Sequence, residues 1–126
     1  MRSSVLRPLP SQVVVLRLSA KLEATRKLKA CENFELAFID EFAVPGKRFN
    51  AAAFDAKVNE GNAKFQRAIA DEKFTARRPA LVDLKGQFDA DAAHLRSKAS
   101  RGKVTPALAS EMKKDTNKIY DHALGR

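Results

Sequence analysis

A single cysteine, Cys31, leaves the chain without an internal disulfide, which excludes a stapled secreted scaffold. No Asn-x-Ser/Thr triplet supplies a glycan acceptor. No apolar run approaches the roughly 18 residues that cross a bilayer; the run at 13–16 is stopped by Arg17. Pro8, Pro10 and Arg17 also interrupt what would be the apolar stretch of a secretory signal. The glycines, at 46, 61, 86, 102 and 125, are isolated, so no glycine-rich phosphate loop is present. Strand-like alternation is missing beyond 13–18. Acids are missing from the first twenty-two residues, the first being Glu23.

The 126 residues are 44% hydrophobic and 31% charged, a mix too apolar for full disorder and of a length for one domain. Twenty-four lysines and arginines against 15 acids give a net charge of +9. That charge favours acidic partners: nucleic acid, an anionic lipid surface or an acidic protein surface. Nothing in the sequence points to a small-molecule substrate or a cofactor.

The pattern predicts an all-α fold, a small bundle of about four helices in one domain, 1–126. The first helix is expected from near Ser11, after Pro8 and Pro10, to about Ala43, where Val44-Pro45-Gly46 breaks it. It is long for a small domain. Leu18, Leu22, Leu28, Cys31, Phe34, Phe38 and Phe42 form its apolar seam. Asn50 caps a second helix over 51–70, with Phe54, Val58, Gly61, Phe65, Ala68 and Ile69 as its stripe. Gly61 either permits close helix approach or is a tolerated defect costing about 1 kcal/mol. The third helix begins near Pro79, carries Leu81, Leu84, Phe88, Ala92, Leu95 and Ala99, and stops at Gly102. The fourth has Thr105 as cap and Pro106 in its first position. Its stripe is Leu108, Met112, Ile119 and Ala123, and it ends at Gly125. The second half of helix 1 packs with helices 2 to 4, and its first half projects as an arm.

Candidate chemistry is sparse. His94 and His122 sit in no metal-ligand spacing, and only Asp91 shares a face with His94. Cys31 falls in an apolar stripe and reads as a buried thiol. Asp40, Glu41, Asp71, Glu72, Asp89 and Asp91 are neighbours that point different ways on helices, and read as solvated faces. The sequence therefore assigns no catalytic, cofactor-binding or metal-ligating residue and predicts a protein that is not an enzyme. In helix 1 the basic residues Arg17, Lys21, Arg26, Lys27 and Lys29 precede the acidic Glu32, Glu35, Asp40 and Glu41. This order opposes the helix dipole and reads either as a solvated helix or as an arm matched to an acidic partner. Helix 4 carries Lys113, Lys114, Asn117, Lys118 and Tyr120 after the stretch KASRGK at 98–103. A capped basic helix after a turn is a candidate nucleic-acid reader. Basic residues nevertheless lie on all four helices, and stacking aromatics are not interleaved with them.

The segment MRSSVLRPLPSQVVVLRLSAKL has the composition of an organellar import signal. It is read here as a retained, uncleaved signal, 1–22, that begins the arm. With the Ala-, Lys- and Phe-rich helices that follow, the chain resembles the small soluble associated subunits of the chlorophycean-algal mitochondrial ATP synthase. That resemblance implies a location on the matrix side of the inner membrane, within the peripheral stalk. It implies a structural role among larger protein subunits. The expected contacts are Val13, Val14, Leu16 and Leu18, burying against a partner, with Arg17 and Lys21 meeting acidic groups. The alternatives are a nucleic-acid-binding helical module, such as a mitochondrial ribosomal or DNA-binding protein, and a bacterial or phage interaction protein.

Overall fold

The computed structural model describes residues 10–72 and 77–126; the side chains of 10–21, Glu23 and Ala24 lie outside the description. The described residues form four helices and no strand: α1 Pro10–Phe42, α2 Ala51–Asp71, α3 Arg78–Ser100 and α4 Pro106–Leu124. The expected all-α bundle is thus present, with boundaries within one residue of those read from the sequence.

The helix ends follow from local chemistry. Pro10 and Pro106 open α1 and α4, where a missing N–H removes no helical bond. The Asn50 side chain accepts a hydrogen bond from the Ala53 N–H at 3.0 Å, the expected cap. Thr105 occupies the expected cap position of α4, but its hydroxyl makes no capping bond, so the start signal there rests on Pro106. Gly102 stops α3 in a left-handed conformation, φ +64°, and the Lys103 N–H closes back on the Lys98 carbonyl at 2.8 Å.

Ion pairs between helices fix the directions. Lys113 of α4 meets Asp40 of α1 at 2.8 Å, and Arg126, just past α4, meets Glu32 of α1 at 2.5 Å. So α4 runs antiparallel to α1. Lys27 of α1 lies 3.8 Å from Asp71, the last residue of α2, and Arg96 of α3 pairs with Asp55 of α2. The order is up, down, up, down. The first and third helices both pack between their neighbours, while α2 and α4 lie on opposite sides of the bundle.

Aromatic rings fill the centre. Phe38 stacks obliquely on Phe42, Phe54 and Phe88 with centroids 5.1 to 5.5 Å apart, and Phe88 also meets Phe34 at 6.1 Å and Phe65 at 5.4 Å. Tilted pairs at these separations add about 0.5–1.5 kcal/mol each beyond area burial. Leu81, Leu84, Leu95, Leu108 and Met112 close the core around them. The stripes of α2 and α3 fall where expected. Two stripe assignments change: Leu22 is 61% exposed, and Tyr120, read as part of a basic helix face, is buried at 1% exposure. Ile39 and Ala43 join the core, because the buried arc of α1 is wide enough to meet all three other helices.

Gly61 settles its two readings in favour of close approach. A methyl there would stand 2.5 Å from Phe88 Cζ and 2.7 Å from Phe34 Cε1. Gly86, also inside a helix, has nothing within 4 Å. Gly61→Ala is therefore expected to lower stability by about 1–3 kcal/mol despite its better helix propensity. Gly86→Ala is expected to raise stability by about 1 kcal/mol. Chemical denaturation midpoints of the two variants, moving in opposite directions, check this.

Candidate functional site

Two features stand apart from the Phe-rich core: the leading part of α1 and a buried polar layer. The 33-residue α1 is longer than α2, α3 or α4, which have 21, 23 and 19 residues. The Lys27–Asp71 pair places the end of α2 beside Lys27, and the Arg126–Glu32 pair places the end of α4 beside Glu32. Residues 10–26 therefore run past the ends of both antiparallel neighbours, about 25 Å of helix at 1.5 Å per residue. Among the described side chains of α1, Leu28 is the first in the core, whereas Leu22 is exposed. Val13, Val14, Leu16, Arg17, Leu18 and Lys21 fall within this leading part; their side chains lie outside the described residues.

The polar layer is built from pairs one helical turn apart. Cys31 and Glu35 come from α1, Gln87 and Asp91 from α3, Thr116 and Tyr120 from α4. Glu35, Thr116 and Tyr120 are each 1% exposed, and both Glu35 oxygens, Thr116 Oγ1 and Tyr120 Oη lack a hydrogen-bond partner. Gln87 Nε2 donates to Asp91 Oδ1 at 3.2 Å. Burial pushes the Glu35 carboxyl far above the usual carboxylate range, to about 9, with Asp91 pushing the same way and Thr116 opposing. Although Asp91 and Thr116 are near enough to act on Glu35, neither reaches good hydrogen-bond geometry with its oxygens. Glu35 is consequently protonated at neutral pH. Burial likewise raises the Tyr120 phenol, reinforced by Glu35. It lifts the Cys31 thiol to about 11, against a lowering influence from Lys64, so Cys31 is a thiol rather than a thiolate nucleophile at neutral pH.

Several acids read as solvated are not. Glu32 is 3% exposed and held by Arg126, Glu35 is buried, Glu72 is 4% exposed, and Asp91 is half-buried. Glu32 and Glu35 lie on the same side of α1 as the apolar seam, which the charge pattern alone hides. His94 and His122 are both exposed. Among the described residues, no three of His, Cys, Asp and Glu converge as metal ligands, and no helix is long and apolar enough to cross a membrane. The basic face of α4 is partly occupied within the fold, since Lys113 is tied to Asp40.

The buried carboxyl gives a pH dependence. Unfolded, Glu35 ionises near its ordinary value of 4.5; folded, it holds its proton until about 9. Its contribution to stability is complete below the lower value and is lost as pH rises through that interval. Stability is therefore expected to fall between pH 5 and 9, with a contribution from this one proton of at most about 1.4 kcal/mol per pH unit. Glu35→Gln should flatten that slope while leaving the protein folded. An unchanged slope in the variant, measured by denaturation across pH, would assign the dependence elsewhere.

Comparison with known protein families, with characterised proteins and with solved structures found no match to this chain.

Proposed function

We propose that this chain is a non-catalytic accessory subunit that joins a larger protein assembly through the leading part of α1. The observation that carries this reading is the extension of residues 10–26 past the ends of α2 and α4. An isolated helix of that length is marginal in water. The sequence VVVLRLSAKL at 13–22 places apolar residues on it that the ends of α2 and α4 do not flank. A surface on another protein that buries Val13, Val14, Leu16 and Leu18 and offers acids to Arg17 and Lys21 resolves both problems. Exposed Leu22 fits the same contact.

The assembly we propose is the peripheral stalk of a mitochondrial ATP synthase, on the matrix side of the inner membrane. This rests on the import-like composition of 1–22 and on the small, basic, Phe-rich helical character of the remainder. The role is mechanical: a rigid bundle ties larger stalk subunits together and resists torque. Rigidity is what the interlocked Phe34, Phe38, Phe54, Phe65 and Phe88 rings supply, because close-packed interiors deform little.

Removal of residues 1–22 should abolish incorporation while leaving the bundle of α2, α3, α4 and the rest of α1 folded. The test is native purification of tagged full-length and truncated chains from the source cells, with mass spectrometry of co-purifying proteins at low and high salt. Stalk subunits are expected with the full-length chain at both salts and not with the truncated one. Equal recovery with both chains would refute the attachment. Recovery of nucleic acid or ribosomal proteins, lost at high salt as counterion release demands, would favour a nucleic-acid-binding module instead.

A further inference from the structure

Where α1 emerges from the bundle, a cleft of about 240 Å³ opens between α1 and α2. Lys27, Ala30 and Cys31 form one wall, and Lys64, Arg67, Ala68 and Asp71 the other. These positions recur at three- and four-residue spacing on each helix, so the side chains face one another across the helix pair. We propose that this cleft is a binding site for a phosphate group, held by Lys27, Lys64 and Arg67.

Two of the three cations have no carboxylate at ion-pair distance among the described residues. Lys64 lies over the Phe34 ring, 5.8 Å from its centroid. Among the described residues Arg67 uses only its Nε, in a long 3.4 Å bond to the Ala63 carbonyl of its own helix. Lys27 is held loosely by Asp71 at 3.8 Å, with side chains 32% and 63% exposed. So open a pair contributes little and yields to a better ligand. Asp71 and the carbonyl end of α2 oppose an anion, but one carboxylate and about half a charge do not balance three cations. The size of the cleft selects the ligand class. It is below the roughly 300–1,000 Å³ of drug-sized sites and suits a phosphate head rather than a large apolar ligand. A guanidinium fork and two ammonium groups lining one cleft match phosphate oxygens, which Arg binds in paired hydrogen bonds. Cys31 and Ala68 close the apolar floor, both at most 5% exposed. Because the thiol is protonated at neutral pH, the floor adds no negative charge. The site binds without reacting.

The test uses the full chain and inorganic phosphate, titrated calorimetrically against chloride at matched ionic strength. Phosphate is expected to bind, and Lys64→Gln/Arg67→Gln to weaken it about tenfold or more, as loss of charge-assisted hydrogen bonds requires. Lys114→Gln/Lys118→Gln, which removes the same charge from exposed positions on α4, should leave the affinity unchanged. Should the first pair unfold the protein, Arg67→Gln alone serves, since among the described residues its side chain bonds only within its own helix. Flotation with phosphatidylcholine vesicles, with and without phosphatidic acid, separates the two sources. Binding to the phosphatidic acid vesicles that disappears with the Lys64/Arg67 pair identifies a lipid headgroup, and binding of inorganic phosphate alone identifies a free phosphate. Absence of phosphate binding to the natural chain, or equal weakening by the two pairs, overturns the proposal. Lys27 lies outside 1–22, so this outcome is independent of attachment through the leading part of α1.

Discussion

The Phe88 ring seated on Gly61 is the contact on which the rest of the bundle depends. Only the absence of a side chain at 61 lets α3 press its ring against the α2 backbone while Phe34 of α1 reaches the same spot. Three helices are thereby fixed at one point. From there Phe38 carries the packing toward Phe42 and Phe54, and Arg96 covers the edge, its guanidinium over the Phe49 and Phe54 rings at 5.6 and 5.7 Å and its charge on Asp55. The fourth helix joins this unit through a different chemistry. Thr116 and Tyr120 face Glu35 instead of another phenylalanine, so that side of the core is polar and pH-sensitive.

That division makes the bundle unequal. Each buried polar group without a hydrogen-bond partner costs about 1–3 kcal/mol, and several such atoms meet between α1 and α4. Ion pairs at the two ends of the α1–α4 contact, Lys113–Asp40 and Arg126–Glu32, offset part of this cost. Glu32 is almost wholly buried while Arg126 is 38% exposed in its side chain. Loss of Arg126 would therefore strand a charge, and the pair matters more than a surface pair does. The ring contacts of Phe34, Phe38, Phe54, Phe65 and Phe88 among α1, α2 and α3 involve no titratable group.

Most of the fold was legible because its signals are local. Pro106, Asn50 and Gly102 mark helix ends by backbone chemistry that does not depend on neighbours, and the stripes of α2 and α3 follow the helical period. What escaped is set by partners in space. Glu32, Glu35, Thr116 and Tyr120 look like solvent-facing residues by type, and only the crossing of α1 with α4 buries them. Leu22 matches the seam of α1 by spacing, yet α2 ends beside Lys27 and leaves it uncovered. The cleft was invisible for the same reason: Lys27 lies far in sequence from Lys64 and Arg67, and the antiparallel packing of α1 on α2 brings them together. The length of α1 was readable from the breaker at 44–46, and it exceeds that of the other three helices.

On the proposed reading α1 has two halves, one packed within its own bundle and one that docks on a partner. Amide hydrogen exchange on the full chain, alone and within the purified assembly, tests it most directly. Strong protection is expected at 28–42 in both states, and at 10–24 weak protection in the isolated chain that rises sharply in the assembly. Equal protection of the two halves in the isolated protein, or no change at 10–24 on assembly, would contradict it.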